Sequence, residues 1–190
     1  MSRITLPTAL ITAASLVAAG WLAGLNKEAP PHEEQLRLGQ SIEVDPGQTI
    51  TPLTVSYGQF IRNPLTKDAM ISADRLVALQ LKMSTRGPRE ATGVRCIMKH
   101  PDGSTSEAVA GDVLSFPDAG FAENQSVVFD VAITKLGGSI IDCASSGVIT
   151  YREAHLLLDL NLTVDTLPEV LRTSAYTTAE WPESVLEVVQ

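Results

Sequence analysis

The chain has 190 residues, with 14 lysines and arginines against 22 aspartates and glutamates and a formal net charge of −8. Such acidity argues against nucleic-acid binding, which draws its affinity from phosphate neutralisation, and against a strongly basic membrane-surface binder. Its length allows one domain with a sizeable core.

In chain order, the first element is an apolar run. Residues Ile4–Leu25 (ITLPTALITAASLVAAGWLAGL) carry no charge. As a helix at about 1.5 Å per residue the run is roughly 33 Å long, enough to cross a hydrocarbon core of about 30 Å. Arg3 precedes it and Glu28, Glu33 and Glu34 follow it. Positive charge stays on the cytoplasmic side, so the remainder is expected outside. Trp21 suits the outer interface, and Ala18, Ala19, Gly20 and Gly24 are small residues that let a neighbouring helix pack closely. A cleaved signal peptide is the competing reading, with Val17, Ala18 and Ala19 as the small-residue site before Gly20. The apolar run exceeds the ~7–15 residues of a signal core, which favours a retained signal-anchor over residues 1–25. Residues 26–40 are polar, include Pro30–Pro31, and read as a tether.

From residue 41 to 164 the pattern alternates with period two. Val77, Leu79, Leu81 and Met83 alternate with Ala78, Gln80, Lys82 and Ser84. Val94, Cys96 and Met98 repeat the pattern, as do Val127, Phe129, Val131 and Ile133, and then Leu156, Leu158, Leu160, Leu162 and Val164. This is the pattern of strands with one face on a core and one in water. Further strands are expected over Ser41–Val44, Ile50–Ile61, Thr105–Ala110, Ser139–Cys143 and Gly147–Arg152. Asn63–Arg75 breaks the alternation and reads as a helical turn or loop. Asp45-Pro46-Gly47, Arg86-Gly87-Pro88, Pro101-Asp102-Gly103 and Gly137-Gly138 supply turns, with His100–Ser104 (HPDGS) a good hairpin connection. About seven to nine short strands without a long helical period predict an all-β antiparallel sandwich. Residues 165–190 are an acidic C-terminal tail, with a helix start at Thr166-Leu167-Pro168-Glu169 and two possible fates, packing on its own domain or docking on a partner.

Cys96 and Cys143 both lie in apolar, strand-like segments. Outside the cytoplasm an isolated pair is most simply one disulfide, within or between sheets. A buried free pair and redox or metal chemistry are the alternatives, and the wide spacing fits redox chemistry poorly. Lys82, Arg86, Arg89, Arg95 and Lys99 form a cation-rich stretch interrupted by Glu90 alone. It reads either as solvated strand faces or as a docking patch for an acidic partner or lipid headgroups.

Catalytic patterns are sparse. His32, His100 and His155 share no metal-ligand spacing, and there is no GxSxG, P-loop or GxGxxG pattern. The chain is therefore expected to be non-enzymatic, with no cofactor and no bound metal.

Gly39–Val55 (GQSIEVDPGQTITPLTV), RLVALQLKMST, VRCIMKHPDGSTSEAV and FAENQSVVFDVAITKLGGSIIDC follow one another in an order that carries a family likeness. It resembles the telokin-like, immunoglobulin-fold extracytoplasmic domains of bacterial envelope proteins, the family grouped as DUF4352. Ser84-Thr85-Arg86 stands where that family usually has Asn. The resemblance covers roughly residues 39–164 and implies an Ig-like, non-catalytic, secreted or anchored module. Together these readings predict a single transmembrane helix ahead of an Ig-like β-sandwich. The expected role is an accessory or scaffold subunit of a bacterial membrane or envelope complex, such as a respiratory assembly. Its partners would be other membrane or envelope proteins, with membrane contact through residues 4–25 and no nucleic acid. The alternative is an extracytoplasmic carrier or sensor of a small apolar ligand or lipid.

Overall fold

A computed structural model describes residues 32–62, 69–87, 91–147, 154–179 and 186–189. The expected transmembrane helix, its small residues Ala18, Ala19, Gly20 and Gly24, and Arg89 lie outside the described residues.

Alternation becomes sheet wherever the sequence places apolar side chains at every second position. The strands are β1 (His32–Leu36), β2 (Ile42–Asp45), β3 (Gln48–Arg62), β4 (Ala69–Thr85), β5 (Ala91–Lys99), β6 (Thr105–Ala110), β7 (Val113–Leu114), β8 (Phe121–Val131), β9 (Ile140–Gly147), β10 (Ala154–Asp159), β11 (Thr178–Ala179) and β12 (Leu186–Val188). Two short helices, α1 (Ile133–Leu136) and α2 (Leu167–Ser174), interrupt them. The described residues thus hold twelve strands rather than about seven to nine. The surplus comes from very short pairings such as β7, β11 and β12, which carry no alternation long enough to read in sequence.

Strands β1, β10, β9 and β5 run side by side, with β7 also on β5. Strands β3, β4 and β8 form the second sheet, with β2 and β11 on β3 and β12 on β8. Strand β6 joins the two: Thr105–Glu107 pair with β5, while Ala108 and Ala110 pair with β8. The result is a β-sandwich. Most pairings are antiparallel, but β1 runs parallel to β10 and β11 runs parallel to β3.

Between the sheets, Ile50, Val77, Leu79, Leu81, Met83, Val94, Met98, Val127, Phe129, Val131, Ile141 and Leu156 are buried in one cluster. These are the side chains of the alternating runs. A smaller cluster, Ile61, Leu76, Ala78, Val128 and Ala179, lies on the opposite face of the β3–β4–β8 sheet. Leu76 and Ala78 therefore do not face water, as alternation alone implies, because residues from the C-terminal tail cover them.

Three sequence expectations change. Ala69–Arg75 is strand rather than helical turn or loop, since it pairs with Phe60–Arg62 and, through Arg75, with Val131. Residues 32–36 of the expected tether form β1, because Leu36 is drawn into the core and the backbone finds partners on β10. Strand β10 ends at Asp159 rather than Val164; Asn161 takes a positive φ of 52°, which breaks the extended run.

The tail folds back. Helix α2 presents Leu167, Val170 and Leu171 to the main core, and Thr178 and Ala179 pair with Phe60 and Ile61. Gly58 permits this approach: a Cβ there would lie 2.5 Å from the Ala179 nitrogen and 2.6 Å from the Thr177 oxygen. At the β5–β6 connection Gly103 has φ of 81°, and Asp102 accepts hydrogen bonds from the Ser104 backbone and hydroxyl. Those hydrogen bonds, with a smaller contribution from nearby Lys135, hold the Asp102 carboxyl below its usual range.

Candidate functional site

Cys96 on β5 and Cys143 on β9 are direct cross-strand partners and are joined by a disulfide. The bond therefore links neighbouring strands within one sheet, not the two sheets. Both cysteines are buried in the main core.

The other face of the same strands carries a polar cluster. Asp142 of β9 lies between β5 and β10. Its carboxylate is 2.5 Å from Lys99 Nζ, and both of its oxygens are 2.9 Å from His155 Nδ1. The Asp142 side chain is 1% exposed, against 41% for Lys99 and 22% for His155. A carboxylate this well covered needs such partners, because an unpaired buried charge is strongly destabilising. The cluster ties three strands together across their outer face. His155 with Asp142 is the pairing that the sequence did not reveal, because its members meet only after β5, β9 and β10 have aligned.

His100 is buried at the end of β5. Its Nδ1 is 2.8 Å from Ser139 Oγ and its Nε2 is 2.8 Å from Ser106 Oγ. Ser139 donates its hydroxyl hydrogen to the Lys135 carbonyl at 2.6 Å, so it accepts from His100 Nδ1–H. Nε2 is left to pair with the Ser106 hydroxyl. The ring fastens the β5–β6 hairpin to the α1 turn.

Among the described residues, the cations of the expected docking patch are divided between the two sheets. Lys82 projects from β4 and pairs with Glu187, whereas Arg95 on β5 pairs with Glu107 at 2.9 Å and Lys99 with Asp142. Lys82 lies in one sheet, Arg95 and Lys99 lie together on β5 in the other, and each of the three is paired with an acid. Arg86 is exposed after the end of β4. The physical reason is the fold itself: β4 and β5 are consecutive in sequence but lie in opposite layers. Among the described residues no group of three or more His, Cys, Asp or Glu has the geometry to hold a metal ion, and no helix is long and apolar enough to cross a membrane.

A cleft of about 420 Å³ opens where the parallel strands β1 and β10 end. Gln35–Leu38 form one wall, Leu158–Asn161 another, and Val55 of the opposite sheet the floor. Leu36, Leu158 and Leu160 are buried components of the core, while Leu38 is 55% exposed. A volume within the ~300–1,000 Å³ range of small-ligand pockets, walled by leucines with a few polar groups at its rim, is suited to an amphiphile.

No protein-family model matches the chain, so the likeness to telokin-like domains rests on its short motifs alone. No curated protein matches it in sequence. Among solved structures it is similar to an uncharacterised β-sandwich protein from Clostridium difficile, with a TM-score of 0.45 and 8% identity over 71% of this chain and 99% of that one.

Proposed function

We propose that this chain is a non-catalytic, membrane-anchored extracytoplasmic binding module of Ig-like build, an accessory or scaffold subunit of a membrane or envelope complex. The observation that carries the reading is the Cys96–Cys143 disulfide in a β-sandwich that follows the uncharged run Ile4–Leu25. Disulfides persist in oxidising compartments, and a run of that length and polarity suits an anchor with the folded part outside. The clusters around Asp142 and His100 hold strands together, which supports a structural use of the most chemically capable side chains.

The cleft at the ends of β1 and β10 favours a second reading, the carrier or sensor of a small apolar ligand. Gentle detergent extraction followed by native mass spectrometry separates the two. The subunit reading expects additional proteins to travel with the chain, and the carrier reading expects a small-molecule mass increment. A bare monomer in every preparation would sink both.

A further inference from the structure

We infer that the cleft between the ends of β1 and β10 binds a single-chain amphiphile through its carboxylate head and alkyl tail; this rests on the carrier reading above. The alkyl tail meets an apolar surface. Leu38 is 55% exposed beside Val55, and the buried side chains of Leu158 and Leu160 complete an apolar wall. An exposed leucine alone is ordinary, but one opening into a concave apolar space is a site where burial of an alkyl chain gains free energy.

Charge chooses the head. Arg37 lies at the rim, is exposed, and its guanidinium makes no hydrogen bond or ion pair among the described residues. Asp159 lines the same cleft, but its Oδ1 already accepts the Asn161 N–H at 2.7 Å. Asn161 in turn donates its side-chain amide to the Asp159 carbonyl at 3.2 Å. Asp159 keeps its second carboxylate oxygen as an acceptor, and the larger unclaimed capacity at the mouth is that of the Arg37 donor, with five N–H groups in the planar fork that fits a carboxylate. In a chain of net charge −8, Arg37 offsets the Asp159 charge at the mouth and supplies the donors that an anionic head needs. The cleft holds about 420 Å³, on the scale of a single alkyl chain.

The test uses the full chain in phosphatidylcholine nanodiscs and a photoactivatable diazirine analogue of dodecanoate, with adducts mapped by peptide mass spectrometry. Labelling is expected on the segments containing Leu38 and Leu160. Excess dodecanoate should protect, and equal dodecanol should not. Arg37→Ala should raise the dodecanoate needed for half-protection roughly tenfold, the scale of one charge-assisted contact, while Arg37→Lys should raise it by less than about threefold. Arg37 and Leu38 are exposed, so neither R37A nor L38D threatens the core, and L38D should reduce labelling of both segments. Saturable labelling confined to other peptides would overturn the cleft while leaving a carrier. No saturable labelling anywhere would overturn the carrier reading as well. Equal protection by dodecanol, or by dodecanoate on wild type and R37A, would remove the carboxylate from the proposal.

Discussion

The ring of Tyr57 packs against the main core from β3, and burial pushes its phenol from 10.0 up to about 12. The folded chain therefore holds this proton more tightly than the unfolded chain. Its contribution is fully present below about pH 10, and roughly 2–3 kcal/mol is lost as pH rises through about 12. Urea unfolding at pH 9 and pH 11 measures the onset. Wild type should lose roughly 1 kcal/mol more than Tyr57→Phe between those values. Parallel losses in the two proteins would show that the phenol titrates alike in both states. At this scale the sequence conceals more than it shows. Asp142 stands in IIDCASS as an ordinary outward polar residue, and only sheet alignment brings it Lys99 and His155. Arg75 gives no hint that it will be buried. Leu38 and Arg37 look like parts of a tether until β1 and β10 end side by side.

At the scale of elements, the β5–β9 pair is set by the alternation of Val94, Cys96 and Met98 against Ile141 and Cys143, which places the two sulfurs on the same inward face. The bond closes a loop with a sequence separation of 47 residues. On the chain-entropy model that constraint on the unfolded state stabilises the fold by about 4 kcal/mol. The double variant Cys96→Ala/Cys143→Ala should lose about that much in urea unfolding, with a larger denaturant slope because its unfolded chain is more open. Unchanged midpoints with and without the bond would show that the linkage restrains little. The strands that were legible were β2 to β6 and β8 to β10, most of which carry several inward apolar residues in register. Strand β1 was not, because HEEQL offers a single inward leucine and takes its form from pairing with β10. Strands β11 and β12 are two and three residues long, below any readable period.

The whole molecule depends on a tail for which the sequence allowed either packing on its own domain or docking on a partner. Arg75 is 4% exposed and donates from Nε to Ser174 Oγ at 2.9 Å, and from its two terminal nitrogens to the Leu171 and Asp74 carbonyls at 2.8 Å each. Two of those three acceptors belong to α2. The cation sits at the carbonyl end of that helix, where the helix dipole favours positive charge. Strand β11 meanwhile brings Ala179 to the apolar outer patch of Ile61, Leu76, Ala78 and Val128. A chain ending at Asp165 would lose both covers at once. It would leave a buried guanidinium short of acceptors and an apolar patch in water, a cost of roughly 3 kcal/mol or more. In a chain of this size that corresponds to a fall in Tm of about 6–12 °C, measurable by calorimetry of the truncated and full-length proteins. Two substitutions separate the causes. Gly58→Ala in the full chain obstructs β11 alone and should give a smaller fall. Arg75→Met should destabilise the full chain yet stabilise the truncated one, because it removes a charge that truncation has stranded. A truncated protein with an unchanged Tm, or an Arg75→Met effect of the same sign and size in both backgrounds, would mean that the tail rests on a sandwich already complete without it.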